Sequence, residues 1–159
     1  ERSRAVHNLH QDLRIPGDYA PDVHQRMSLY KRVSQATTAS ELESLRAEVR
    51  DRYGPFPLPV EGLFSYAALR LRAEGLGIAQ VDASTSSFSL RFSPETSFPP
   101  EALIAAVKSL PGARLNPEGL RIPRPPGAPV SAGLASLLSR LEEALGAEAA
   151  IIEGSTPRT

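Results

Sequence analysis

Thr38–Pro59, TASELESLRAEVRDRYGPFPLP, constrains the fold more than any other stretch, because it reads as one helix with both ends marked. Thr38 can cap the start, and Glu41 three residues later completes a capping box. Leu42, Leu45, Val49 and Tyr53 recur at spacings of three and four, which puts them on one stripe of an α-helix. Gly54 follows where a left-handed cap is wanted, and Pro55 prevents continuation. Beside the apolar stripe runs a second one of Glu41, Ser44, Glu48 and Asp51. At about 100° per residue these four fall within roughly 80° of each other, so the helix buries one face and shows an acidic shoulder. One reading of that shoulder is a solvated face, with Glu48 paired to Arg52 at i,i+4. The other is a docking surface for a basic partner, formed by Glu41, Ser44, Glu48, Asp51 and the flanking Arg52. Helical periodicity does not separate the two.

A chain of 159 residues fits a single domain, here residues 1–145, with 146–159 expected to be a frayed or disordered tail. The formal net charge is zero, which argues against a dedicated nucleic-acid binder. There is no Cys, hence no disulfide frame, thiolate metal site or cysteine nucleophile, in keeping with a cytoplasmic protein. No apolar run approaches the roughly 20 residues of a membrane span. The charged start is unlike a signal peptide, and Glu1 in place of Met leads us to expect a piece of a longer protein.

In chain order, the region of Val6 and Asn8 suggests a short extended segment. Residues 15–21 are a turn-rich entry. Asp22 caps a helix to about residue 35, with Val23, Met27, Tyr30 and Val33 as its stripe and Arg26 placed to pair with Asp22. A further helix runs from about 59 to 75 with apolar residues on two sides, Val60, Leu63, Phe64, Ala67 and Leu71 on one and Tyr66, Leu69, Ala73 and Leu76 on the other. Two strands follow at about 78–83 and 87–93, where Phe88, Leu90 and Phe92 alternate with polar residues and face inward. A short helix at 101–110 turns Leu103, Ile104, Val107 and Leu110 inward. A second hairpin is centred on Asn116–Gly119, a proline-rich connector spans 123–129, and a last helix carries leucines from Val130 to Leu145. The class is α+β: a helical N-terminal half packed with a small, mainly antiparallel sheet and two further helices.

No GxxxxGK[ST] phosphate loop, GxSxG or HExxH motif is present. His7, His10 and Asp12 are the nearest approach to a metal set, but residues 7 and 10 of an extended segment face opposite ways. The reading is of a chain with no catalytic residue, no metal and no cofactor.

Three blocks carry more. Ile15-Pro16, Tyr19, Pro21-Asp22, Arg26-Met27 and Tyr30-Lys31-Arg32 form the first. Glu41-Leu42, Leu45, Glu48, Asp51-Arg52-Tyr53-Gly54, Pro57 and Pro59 form the second, and Leu76-Gly77-Ile78 closes the series. In order and spacing they resemble the C-terminal domain of bacterial transcription-repair coupling factors, whose pattern is IPxxYxPDxxxRLxxYKR, ELxxLxxExxDRFGxxP and LGI. Met27 replaces the usual Leu, Tyr53 the usual Phe, and Pro55-Phe56 departs at the corner. The resemblance covers residues 15–78. It implies a parent that is an ATP-driven DNA translocase, which displaces stalled RNA polymerase and recruits excision repair through UvrA. It implies that this domain is an autoinhibitory clamp on the parent's UvrB-like module, masking the surface that UvrA binds. The family's acidic contacts to arginines of that module fall on Glu48 and Asp51. RNA polymerase and DNA are then partners only through the parent, and no membrane is involved. The rival reading is an accessory nucleic-acid-contacting module that uses Arg26, Lys31, Arg32, Arg70 and Arg72.

Overall fold

The computed structural model describes the backbone of residues 6–8, 13–96 and 98–155, and the side chains of 13–96 and 98–145. His10 and Asp12 lie outside the described residues, as does the side chain of His7. The chain divides into two compact units, residues 10–71 and residues 1–9 with 72–159.

The helical unit contains α1 (Val23–Gln35), α2 (Ala39–Tyr53) and most of α3 (Leu58–Gly75). Its core joins Leu29 and Val33 of α1 to Leu42, Leu45 and Val49 of α2 and to Val60, Phe64 and Ala67 of α3. Asp22 caps α1 as expected, its carboxylate accepting from the backbone N–H of His24 and Gln25 at 2.8 and 3.2 Å. The stripe expected on α1 is rotated. Val23 and Met27 are 57% and 61% exposed, while Leu29 and Val33 are buried. Two tethers to the entry loop set this orientation. The Tyr30 hydroxyl accepts from the Ile15 N–H, and Arg26 donates to the carbonyls of Ala20 and Pro21 at 2.7 and 3.0 Å. Arg26 therefore serves the loop and not Asp22. α3 buries Val60, Phe64 and Ala67 on one expected stripe and Leu69 and Ala73 on the other, with Leu76 buried just past its end, while Leu63, Tyr66 and Leu71 are half-buried.

The second unit holds a five-stranded sheet of β1 (Val6–Asn8), β2 (Ile78–Ala83), β3 (Ser87–Phe92), β4 (Arg114–Asn116) and β5 (Gly119–Pro123), with α4 (Pro100–Ser109) and α5 (Val130–Ser155). Strand order is β1-β2-β3-β5-β4; β1 is parallel to β2 and the other pairs are antiparallel. The α+β class is the one formed. The register slips between Ile78 and Gln80, so Ala79 is the extra residue of a β-bulge. Ile78 stands opposite Phe92, whereas Gln80 stands opposite Arg91, and Val81 and Ala83 return to the face of Leu90 and Phe88. Only glycine fits at position 119, where a Cβ would lie 1.8 Å from the Leu90 carbonyl oxygen.

Phe88 and Leu90 are buried, but Phe92 at the strand end is only half-buried, edge-on to Phe98 with ring centroids 5.6 Å apart. α4 also differs from expectation. Ile104 is 50% exposed, and Ala102 and Ala106 are fully buried. α4 packs against α5, and the side chains it buries are Ala102 and Ala106 in place of Ile104. The leucines of α5 from Leu134 to Leu145 are buried, and its backbone continues past them to Ser155.

Candidate functional site

The acidic shoulder exists because α2 starts and ends where its sequence says and its basic flank is occupied. The Thr38 hydroxyl accepts from the Glu41 N–H at 3.0 Å. The Glu41 carboxylate reaches back to the N–H and hydroxyl of Thr37 at 3.0 and 3.3 Å, one residue earlier than a standard capping box. At the other end Gly54 has φ +93°, and its carbonyl accepts from the Tyr19 hydroxyl at 2.7 Å. The chain then turns at Phe56, which stacks on Phe64 with centroids 5.1 Å apart. Arg46 and Arg50 lie over the Phe56 ring at 5.3 and 5.0 Å, and Arg46 pairs with Glu61 at 2.9 Å. Both arginines on that side of α2 are thus spent on the corner.

On the other side Glu41, Ser44, Glu48, Asp51 and Arg52 are all exposed, as the wheel geometry requires. Their roles differ. Glu41 is engaged by the helix start. Glu48 is held by Arg32 of α1, whose two terminal nitrogens donate to its two carboxylate oxygens at 2.5 and 2.9 Å. That hydrogen-bonded pair, aided by the charges of Arg32 and Arg52, lowers the Glu48 pKa below the ordinary value of 4.5, and the same contact raises that of Arg32. The expected i,i+4 pair with Arg52 does not form; the Arg52 guanidinium sits over the Tyr53 ring at 5.5 Å. Asp51 takes no hydrogen bond or ion pair among the described residues. Between the end of α1 and the start of α2 lies a groove of about 440 Å³, lined by Arg32, Ser40, Glu41, Ser44 and Glu48 among others. The structure therefore brings Glu41, Ser44 and Glu48 to one groove. Asp51 and Arg52 do not line it.

The cations of the rival reading are mostly engaged. Arg26 ties the entry loop and Arg32 holds Glu48. Arg70 donates to the carbonyls of Val33 and Ala36 at 3.2 and 3.0 Å, closing the end of α1. Arg72 pairs with Glu142 at 2.7 Å and donates to Ser139 at 2.9 Å. Lys31 is exposed. The residue that reasoning from sequence missed is Arg32 as the mate of Glu48. Sixteen residues separate them, and only the antiparallel return of α2 along α1 brings them together. No group of His, Asp or Glu able to hold a metal occurs among the described residues, and no helix there is long and apolar enough to cross a membrane.

Known proteins share this framework. The profile of the TRCF domain matches residues 9–103. The transcription-repair-coupling factor of Escherichia coli (strain K12) is 35% identical over 97 residues, 61% of this chain and 8% of the relative. That of Myxococcus xanthus is 42% identical over 72 residues, 45% of this chain and 6% of the relative. That of Mycobacterium tuberculosis (strain CDC 1551 / Oshkosh) is 34% identical over 106 residues, 67% of this chain and 8% of the relative. The chain thus spans between 6% and 8% of the length of these relatives. A crystal structure of the C-terminal domain of transcription-repair coupling factor superposes with a TM-score of 0.75 over 92% of this chain and 96% of that one, at 19% identity, and has the same fold. With the profile covering the whole of α1, α2 and α3, the chain belongs to the TRCF domain family, and its fold is that of the crystallised C-terminal domain.

Proposed function

We propose that this domain is the autoinhibitory clamp of a transcription-coupled repair translocase. It docks through the acidic shoulder of α2 onto arginines of the parent's UvrB-like module and covers the surface that UvrA would bind. The parent uses ATP to move on DNA, displaces stalled RNA polymerase and recruits excision repair in the cytoplasm. This chain supplies regulation and no catalytic step.

The observation that carries the reading is Asp51, exposed and without a partner among the described residues, one turn after Glu48 on the outward side of α2. Helical neighbours three apart project side by side, so an incoming guanidinium at Asp51 also meets the edge of the Arg32–Glu48 pair. Membership of the TRCF domain family supports looking for the basic partner within the parent protein.

Asp51→Arg in the intact parent protein is the direct test, because it reverses the shoulder without touching the α1–α2 pair. Truncating one side of a desolvated charge pair commonly costs about 2–5 kcal/mol, and reversal costs no less. UvrA titrated onto the variant should bind more tightly, while this domain alone should melt within about 0.5 kcal/mol of the unaltered chain. Unchanged UvrA affinity with the fold intact would leave α2 with a merely solvated face.

A further inference from the structure

We propose that the outward face of the β3–β5–β4 sheet binds the phosphate backbone of duplex DNA. Three arginines meet there, none of them in the set that sequence reading assembled. The register places Arg121 of β5 directly opposite Arg114 of β4 on one side and Ser89 of β3 on the other, with Arg91 two residues along β3. All three arginines are exposed. Side chains of directly paired residues share a face about 4.5–5.5 Å apart, and like charges so placed repel. No acidic residue lies on β3, β4 or β5 to offset this. The same face carries Asp82 of β2, opposite Ser89 and accepting from Gln80, and Glu118 sits in the β4–β5 turn. Arg91 donates to Gln80, whereas Arg114 and Arg121 have no hydrogen bond or ion pair among the described residues.

Protection of an exposed sheet edge is the ordinary reason for a charge on an outer strand. It accounts for Arg114 on the edge strand β4. It does not account for Arg121 on β5, which is paired on both sides, or for Arg91 on β3. An anion lying across the three strands accounts for all of them. Strands are about 4.8 Å apart, so the row extends about 10 Å. One DNA strand presents about three phosphate charges over that length. Among the described side chains that face otherwise carries Gln80, Asp82, Ser87, Ser89, Asn116, Gly119 and Pro123, with no aromatic or long aliphatic side chain. That composition lacks the stacking platform of a single-strand binder and the apolar anchors of a protein interface. It fits a sequence-independent backbone contact.

The test is anisotropy of a labelled DNA duplex titrated with this chain, at about 50 mM and about 200 mM salt. Neutralising up to three phosphates gives a slope of log K against log salt of about −2 to −3. Arg114→Glu with Arg121→Glu should weaken binding at the lower salt by at least about tenfold and flatten the slope by about two. Arg114→Gln with Arg121→Gln, which only neutralises the pair, should do the same in smaller measure and serves if the reversal disturbs the fold. No duplex binding at the lower salt would overturn the proposal, as would binding that both double variants retain. Poly-glutamate competing as well as duplex DNA at equal charge would assign the face to an acidic protein and overturn it equally.

Discussion

Arg32 of α1 holds Glu48 of α2 through both terminal nitrogens, across the groove between the two helices. Of the three acids of the shoulder, Glu41 is engaged at the helix start and Glu48 by Arg32, and Asp51 is left to face outward. The two side chains remain 46% and 52% exposed, so solvent screens the pair. A double-mutant cycle with Arg32→Ala and Glu48→Ala, read by chemical denaturation, should give a coupling of about 0.2–1 kcal/mol. A coupling near zero would make the bidentate geometry incidental.

The same pair predicts a pH dependence whose sign is set. Glu48 is more acidic in the folded domain than in the unfolded chain, because the Arg32 hydrogen bonds favour its ionised form. Its contribution is fully present above the ordinary value of 4.5 and is lost as pH falls below that value through the lowered one. Stability profiles of the domain and of Glu48→Gln should run parallel above about pH 5 and converge in acid. Convergence towards neutral pH instead would contradict the assignment.

Arg70 closes the end of α1 by donating to the Val33 and Ala36 carbonyls. A cation at a helix C-terminus also opposes the negative end of the helix dipole. Arg70→Ala leaves those carbonyls without this donor and should cost about 1–3 kcal/mol in thermal or urea unfolding. Arg70→Lys keeps the charge but not the forked donor, so it should recover part of the loss.

Phe88 and Phe92 point to the same face of β3 but differ in depth. Phe88 is 2% exposed and packs beside Gly133 of α5, while Phe92 is half-buried at the strand end. Phe88→Ala should cost about 3–5 kcal/mol. Phe92→Ala should cost distinctly less, about 1–3 kcal/mol, since part of its surface is already in water. Equal losses in denaturant titrations would mean that the end of β3 is as deeply packed as its middle.

Element boundaries were largely legible because their causes are local. Asp22, Thr38 and Gly54 act within one turn of the residues they cap, and α1 begins, and α2 begins and ends, within a residue of where those signals place them. Orientation was less legible. Val23 and Met27 satisfy the same helical spacing as Leu29 and Val33, and long-range contacts choose between them, among them the tethers from Tyr30 and Arg26 to the entry loop. On α4 the apolar size of Ile104 misleads, because Ala102 and Ala106 are the residues turned inward. Of the candidate site, the outward placement of Glu48 and Asp51 follows from the wheel alone. The Arg32 contact depends on a helix–helix approach that no spacing within α2 encodes.

The bulge in β2 decides where this chain can change length. Without Ala79, Ile78 and Gln80 to Ala83 would read as an unbroken alternation of inward and outward side chains against β3. Deleting Ala79 therefore removes a kink and leaves every remaining side chain of the strand on its present face. Deleting Asp82, three residues on, would bring Val81 and Ala83 into adjacent positions and force one of them out of the core. Relatives that are one residue shorter in this strand are expected to have lost that residue and no other.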